Sequence, residues 1–342
     1  MKIQKSNKKN FLKKIFIKIC RLLNFEIIDQ SDFAVPTLKK RLDENLSSAG
    51  RKSITLPMGE IKITRQINSL NIIFRFCTKV KILNQNKERI FGKEKYEYTL
   101  RSLNSILKCI QIVKNNFKYL DIKITAIDVD SDETYIEKIN NMIKSNNINF
   151  EYVKLETNEL KNFVDQNTSE NQKSMMTNVY KSLEIGKNGN YDLLYFVEDD
   201  YIHEKDCISE MLFTYEKFAS LIKDELILCP SDFPYLYNKF EPTQIILGNK
   251  RHWRVVEETL VTFLTSKKLL LKHWDTFASM SKINHTPFEK PLHDIYSKQY
   301  CLSPIPSLAM HCANINSIYG ISPLMDWKRL WDENEVNDKR KF

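Results

Sequence analysis

Between residues 71 and 200, short unbroken apolar runs recur, and the stretches between them carry apolar residues three and four apart. Asn71-Ile-Ile-Phe-Arg-Phe76, Ile122 to Ile127, Phe150 to Leu155 and Leu193 to Val197 have strand length. Runs of this kind without polar alternation fit strands buried on both faces of a parallel sheet. Leu100, Leu103, Leu107, Ile110 and Val113 share one helical face. Ile136, Ile139 and Ile143 do the same in a helix from about Asp132 to Ser145, and a third helix is predicted from about Asn171 to Ile185, closed by Gly186-Lys-Asn-Gly189. Strand and helix in turn at this spacing predict an α/β layer with a mainly parallel sheet flanked by helices.

Beyond residue 204 the rhythm changes. Ile208, Met211, Leu212, Tyr215, Phe218 and Ile222 mark a helix, Leu226 to Cys229 a short strand, and a further helix begins near Ser266. Gln244 to Leu247 and Thr259 to Leu264 are expected to pair as antiparallel strands around Asn249-Lys-Arg-His-Trp-Arg254. At the other end, Leu12, Ile15, Phe16, Ile19, Leu22 and Leu23 recur at helical spacing, with Lys13, Lys14, Lys18 and Arg21 largely opposite. Three segments follow: residues 1–66, a basic amphipathic helix and irregular lead-in; residues 67–204, an α/β half; and residues 205–342, a mixed half.

Charge sharpens the reading of the amphipathic segment. The chain carries a net charge of +9, but eight of its 52 basic residues lie in residues 1–21 without one acid, and the other 44 stand against 43 acids. No basic domain is left to lie along a phosphate backbone, so nucleic acid is set aside as a partner. A basic amphipathic helix can lie on an anionic membrane surface or dock on protein, and periodicity alone does not choose. No apolar run approaches the roughly 20 residues needed to cross a bilayer. The seven cysteines are odd in number, scattered and free of any C-x-x-C pair. They read as reduced thiols, which points to a cytoplasmic protein, peripheral on the inner membrane face if the helix binds lipid.

The candidate chemistry sits at strand ends. Leu193 to Val197 runs directly into Glu198-Asp199-Asp200. If the extended geometry persists, Glu198 and Asp200 face one way and Asp199 the other. Hard carboxylate ligands favour Mg²⁺ or Mn²⁺, often beside substrate phosphates, although such acids also end strands as solvated turns. A second cluster, Asp128-Val-Asp130-Ser-Asp132, follows Ile127. Its acids can accept hydrogen bonds from a base or ribose, whereas Asp132 reads as a cap of the following helix. The chain lacks both G-x-G-x-x-G and G-x-x-x-x-G-K-[ST], so neither glycine-loop phosphate site is present.

With the strands in this order, the sequence resembles the GT-A fold glycosyltransferases, which transfer a sugar from a nucleotide diphosphate. The likeness covers roughly residues 68–204. The strand containing Arg75 corresponds to that family's first strand at the nucleotide site, Asp128 and Asp130 to its Asp-rich second strand end, and Glu198-Asp199-Asp200 to the E-D-D variant of its D-x-D motif. The second segment lacks the usual glycine and is one residue shorter. The resemblance implies a GT-A-like fold with a mixed C-terminal acceptor half, and Asp200 as direct ligand of Mn²⁺ or Mg²⁺. It implies donor contacts from Arg75, Asp128, Asp130, Glu198 and Asp199, and a late histidine, matched by His311, completing the metal site. His311 between Met310 and Cys312 also reads as a satisfied core residue.

The implied reaction is transfer from a nucleotide-diphosphate sugar to a surface-glycan or lipid-linked acceptor, with inversion favoured. Inversion needs a general base near the acceptor hydroxyl. Glu289 is the leading candidate and Glu258 the second, with Glu257 and Asp294 behind. Arg251 and Arg254 are candidates to grip the diphosphate and Trp253 to stack on a sugar, or else the three form an arginine-rich turn around a core tryptophan. A nucleotidyltransferase or metal-dependent phosphohydrolase would also place carboxylates at strand ends. A non-catalytic α/β scaffold remains the reading in which the acids only terminate strands.

Overall fold

A computed structural model describes residues 9–25, 49–50, 52–55, 59–79, 89–155, 165, 167–238, 242–285, 287–313, 315 and 317–336. The chain divides into two compact units, Met1–Thr64 and Arg65–Phe342. The first contains α1 (Lys9–Leu22) and a hairpin of β1 (Lys52–Thr55) with β2 (Gly59–Lys62). That hairpin falls within the stretch expected to be irregular; residues 26–48 of the lead-in lie outside the described residues.

The second unit opens with β3 (Ser69–Phe76), α2 (Lys95–Asn116), β4 (Asp121–Asp128), α3 (Glu133–Lys144), β5 (Asn149–Lys154), α4 (Glu170–Asn188) and β6 (Leu193–Glu198). It continues through β7 (Tyr201–His203), α5 (Cys207–Ile222), β8 (Ile227–Leu228), β9 (Ile245–Leu247), β10 (His252–Val255) and β11 (Phe263–Ser266). Then come α6 (Lys267–Lys272), α7 (Trp274–Lys282), α8 (Lys290–Tyr296), β12 (Cys301–Ile305), β13 (Ala309–His311) and α9 (Trp327–Glu333). One nine-stranded sheet, ordered β5-β4-β3-β6-β11-β8-β12-β10-β9, runs through this unit. The boundary expected at residues 204/205 therefore does not coincide with a break in the sheet.

The first four strands are parallel, as their apolar runs predict, and Leu193 to Val197 are at most 1% exposed. From β3 the chain steps outward to β4 and β5, then returns to β6 on the other side of β3. Right-handed crossovers in opposite directions place helices on opposite faces. Accordingly α2 packs with α3 and α5, and α4 with α6 and α7. The reversal between β3 and β6 opens a crevice at their carboxyl ends.

Three local expectations are corrected. α4 continues through Gly186 to Asn188 because residue 186 faces the sheet: a Cβ there would lie 2.9 Å from Leu194 Cδ1 and 3.2 Å from Phe196 Cζ. This glycine serves close packing, not termination. The strand at Gln244 to Leu247 pairs with His252–Val255, while β11 inserts antiparallel between β6 and β8. The expected partners are thus separated by β8, β12 and β10 in the sheet. Trp253 is fully buried in β10, so of its two readings the core tryptophan holds.

Buried polar groups are tightly partnered at two places. Glu210 of α5, 1% exposed, accepts the backbone N–H groups of Asn249, Lys250 and Arg251 at 2.9–3.1 Å. It thereby fixes the turn between β9 and β10, and Lys217 donates to the carbonyls of Leu247 and Gly248 beside it. His203 is 1% exposed and receives the Tyr195 hydroxyl at Nε2 (2.7 Å), with Nδ1 3.1 Å from Ser105 Oγ. The Ser105 hydroxyl donates to the Ser102 carbonyl, so Nδ1 carries the imidazole proton and Nε2 accepts.

Burial pushes the His203 imidazole down to about 3. The unfolded chain binds a proton there below about pH 6.5 while the folded chain does not, so stability is lost as pH falls from 6.5 towards 3. At pH 5.0 this single group should cost about 2 kcal/mol. Urea unfolding of wild type and His203→Gln at pH 7.5 and 5.0 measures it: the variant should lose about 2 kcal/mol less than wild type on acidification, and parallel losses would contradict the assignment.

Candidate functional site

A cavity of about 630 Å³ opens at the β3/β6 crevice. Its floor comes from the ends of those strands, Arg75 to Cys77 and Glu198 to Asp200, with Val129 beyond β4. Arg89 and Lys95 add positive charge, while Ser174, Met175 and Asn178 of α4 form one side. Leu260, Phe288, Glu289, Ile318, Tyr319 and His311 come from the C-terminal half.

The three acids at the end of β6 have distinct surroundings. β6 ends at Glu198 and Asp199–Asp200 form a turn, so the strand alternation expected of the three acids does not extend to them, and Asp199 is placed by its partners instead. It accepts the Thr99 hydroxyl at 2.6 Å and the Cys77 N–H at 3.2 Å, and pairs with the Lys95 ammonium. It thus ties the strand ends of β3 and β6 to the first turn of α2, with both its oxygens engaged. Glu198 lies 3.6 Å from the Arg75 guanidinium and 3.5 Å from the Thr262 hydroxyl. Arg75 is 5% exposed and donates to the Val261 carbonyl at 3.0 Å, with its Nε left without a partner among the described residues.

Asp200 faces His311. β13 pairs with β7, setting His311 opposite Tyr201, and the Cys312 N–H donates to the Asp200 carbonyl at 2.9 Å. Asp200 Oδ2 then lies 3.8 Å from His311 Nε2, and Asp200 Oδ1 is buried with no partner among the described residues. His311 Nδ1 is 3.0 Å from the Tyr319 carbonyl, which can only accept, so Nδ1 carries the proton. In the neutral imidazole the Nε2 lone pair therefore confronts a carboxylate. The ring is held by stacking on Tyr201, with centroids 4.7 Å apart, and by the edge of Phe233.

Electrostatics divide the two carboxyls on this side. Burial pushes both up; at Asp200 the charges of His311, Lys95 and Arg89 outweigh it and hold the group below the ordinary range. At Glu198 burial, with Asp200 and Asp199 nearby, outweighs Arg75 and His311 and leaves the group above it. The Tyr201 hydroxyl is buried without a partner among the described residues, within the electrostatic reach of Glu198, Asp200 and Glu289.

The donor set of Asp200 and His311 fits two ligands of one divalent cation, since metal–ligand distances near 2.1 Å allow atoms 3.8 Å apart to share an ion. The backbone carbonyl on Nδ1 is the usual second partner of a ligating histidine. Among the described residues no three His, Cys, Asp or Glu side chains gather as a complete metal site. Other ligands would have to come from a substrate or water.

The remaining expected site residues are distributed unevenly. Glu289 lines the cavity, whereas Glu258 lies outside it and accepts the Tyr319 hydroxyl at 3.3 Å. Asp128 is fully buried and does not line the cavity, accepting the Ser131 N–H at 3.2 Å and the Tyr152 hydroxyl at 3.1 Å. The first bond holds the turn after β4 and the second ties its end to β5, and burial raises its carboxyl despite them. Asp130, in left-handed conformation (φ 59°), points outward to Lys79 and does not line the cavity. Asp132 occupies the N-cap position of α3 but makes no side-chain cap bond. Arg254 is likewise outside, locked on Asp232 at 2.6 Å and stacked on Tyr237. Glu257 is exposed, and Asp294 pairs with Lys290 on the surface of α8.

Arg89, Lys95, Asn178 and Tyr319 line the cavity without having been singled out in the sequence. Lys95 carried one legible signal: a cation in the first turn of a helix opposes the macrodipole and calls for a compensating acid, here Asp199.

No family model and no curated protein matches the chain. Among solved structures, it is similar to S. aureus TarS 1-349 at 12% identity and TM-score 0.34, covering 62% of this chain and 56% of that one. It is similar to the galactosyltransferase LgtC in complex with donor and acceptor sugar analogs at 9% identity and TM-score 0.34, covering 65% and 70%. A UDP-glucose pyrophosphorylase complexed with UDP-glucose gives 8% identity and TM-score 0.38 over 71% of this chain and 92% of that one.

Proposed function

We propose that the β3/β6 cavity binds a nucleoside-diphosphate sugar together with Mn²⁺ or Mg²⁺ and transfers the sugar to a hydroxyl of a surface-glycan or lipid-linked acceptor. The observation that carries this reading is the Asp200–His311 pair. Asp200 Oδ2 and His311 Nε2 lie 3.8 Å apart, and the other oxygen of that carboxylate is buried without a partner among the described residues, beside Arg75, Arg89 and Lys95. Such a pair is stabilised by a cation, and cationic walls around it suit a phosphate chain.

When bound, the divalent ion supplies Lewis-acid neutralisation of charge on the leaving diphosphate. Lys95 and Arg89 add positive charge to the same region, with Lys95 held in place by Asp199. Glu198, held by Arg75, offers a partly exposed carboxylate to donor hydroxyls. Glu289 is the group in the cavity suited to take the proton of the acceptor hydroxyl, and inversion follows if that hydroxyl attacks from the face opposite the diphosphate.

Product analysis tests the reaction class. Release of a nucleoside diphosphate from a radiolabelled nucleotide sugar is expected; release of pyrophosphate from a nucleoside triphosphate supplied with a sugar 1-phosphate would identify a nucleotidyltransferase instead. Titration calorimetry with manganese and UDP on wild type and Asp200→Asn tests the site: the variant should lose manganese-dependent binding.

Cys77 gives an independent reporter. It lines the cavity and is partly exposed, whereas five of the other cysteines are buried and Cys20 lies in α1. Alkylation of Cys77 should slow at least about tenfold when manganese and nucleoside diphosphate reach saturation, in keeping with occlusion of the thiol by a bound ligand. Cys20 should label at an unchanged rate; equal protection of both, or of neither, counts against the assignment.

A further inference from the structure

We infer that α1 is a lipid-binding element that lies in the surface of an anionic bilayer, an interaction independent of the transferase reading. The inference starts from how α1 is built. Phe11, Leu12, Ile15, Phe16, Ile19, Leu22 and Leu23 fall within an arc of about 140° at 100° per residue. Every one of them is exposed or half-buried, from 41% at Ile15 to 78% at Leu22. Lys13, Lys14, Lys18 and Arg21 share the remaining arc with Ile17 and Cys20, and the helix has no acid in its first turn.

The charge pattern selects the partner. Lys2, Lys5, Lys8 and Lys9 extend the cationic run, and residues 1–21 contain no Asp or Glu. A second copy of this segment would bring the cations of two helices together, and like charges at close range are destabilising. A nucleic acid would satisfy the lysines but leave the phenylalanines and leucines in water. An anionic leaflet answers both faces: acyl chains take the apolar arc to a depth of about 5–10 Å, and headgroups take the cations at its rim. No described helix is long and apolar enough to cross a membrane, so α1 would lie in the interface plane.

Each lysine near an anionic surface is worth about 1 kcal/mol, or about fivefold in binding. The test is flotation of the full chain with vesicles of phosphatidylcholine alone and of phosphatidylcholine with 30% phosphatidylglycerol, the latter fraction being a chosen experimental condition of about one anionic lipid in three. Wild type should bind the anionic vesicles at least tenfold better than the neutral ones. Lys13→Gln/Lys14→Gln/Lys18→Gln should weaken that binding about 100-fold, and added salt should weaken it further. Phe11→Ser/Phe16→Ser/Ile19→Ser should abolish it at unchanged charge.

Sugar-nucleotide turnover with a soluble acceptor should be the same in all three proteins. Loss of lipid binding with intact turnover separates this inference from the transferase reading, and binding without any turnover leaves it standing while the other fails. No vesicle binding by wild type, or binding indifferent to both triple variants, overturns it. So does a dimer in solution that the serine variant dissociates, which would make a second copy the partner of the apolar arc.

Discussion

Asp200→Asn should lower sugar-donor turnover by about 10²–10³-fold and at the same time modestly destabilise the free protein. The first effect follows if Asp200 helps hold the charge that offsets a departing diphosphate, since removing one such electrostatic contact typically costs that much. The second follows from the surroundings of the carboxylate: His311, Lys95 and Arg89 hold it below its ordinary range against burial, so the charged form stabilises the fold and a neutral amide forgoes that attraction. Steady-state kinetics and urea midpoints at neutral pH measure the two; a variant that is fully active, or more stable than wild type, would sink the assignment.

Glu210→Ala should cost about 3–5 kcal/mol, a large share of the stability of an ordinary domain. The carboxylate gathers three successive backbone N–H groups, and truncation leaves all three without their acceptor beside a buried lysine, in a turn that is only partly exposed. It also strands the charge of Lys217, whose ammonium burial already pushes down and which Glu210 helps to keep protonated. Relief by local rearrangement is blocked: Gly248 sits so close to Trp253 that even a Cβ would lie 2.4 Å from the indole nitrogen. Glu210→Gln keeps one acceptor and the side-chain volume, so it should cost about half as much. Denaturant unfolding of both variants decides, and a loss below about 1 kcal/mol for the alanine would show that water satisfies the turn.

How much of this was legible in the sequence depended on how local each determinant is. The β6 strand announced itself because Leu193 to Val197 is apolar at every position, and a strand buried on both faces has no other pattern. The separate partners of Asp199 and Asp200 could not be read the same way, because the strand ends at Glu198 and the two acids lie in the turn that follows, where alternation no longer applies. Gly186 misled because a glycine near a helix end stops some helices and lets others pack closely, and only the distance to Leu194 distinguishes the two. The order of β11, β8 and β12 could not be read, because neighbours in that part of the sheet are chosen by packing and not by proximity in sequence.

The same limit explains the site. Asp128 and Asp130 look alike in sequence, yet one is buried on Tyr152 and the other faces Lys79, a difference produced by a single left-handed residue. Arg254 next to Trp253 reads as a cation ready for phosphate until Asp232, 22 residues earlier, is seen to hold it. Glu258 and Glu289 were separable only once the cavity had been placed, since Glu289 lines it while Glu258 lies outside and accepts the Tyr319 hydroxyl.

The ladder of β7 with β13 joins residues about 110 positions apart, and it is this pairing that brings an imidazole to the end of β6. Contacts of such sequence separation are entropically expensive and tend to form late in folding. A chain that has assembled only its early parallel strands therefore owns the acids but not the histidine. Under the proposed reading, ligand affinity at this crevice would act as a certificate of completed topology: a fold lacking the β7–β13 pairing would hold the acids without the histidine, and a cation bound with a nucleotide would draw molecules out of the unfolding equilibrium only once both were in place.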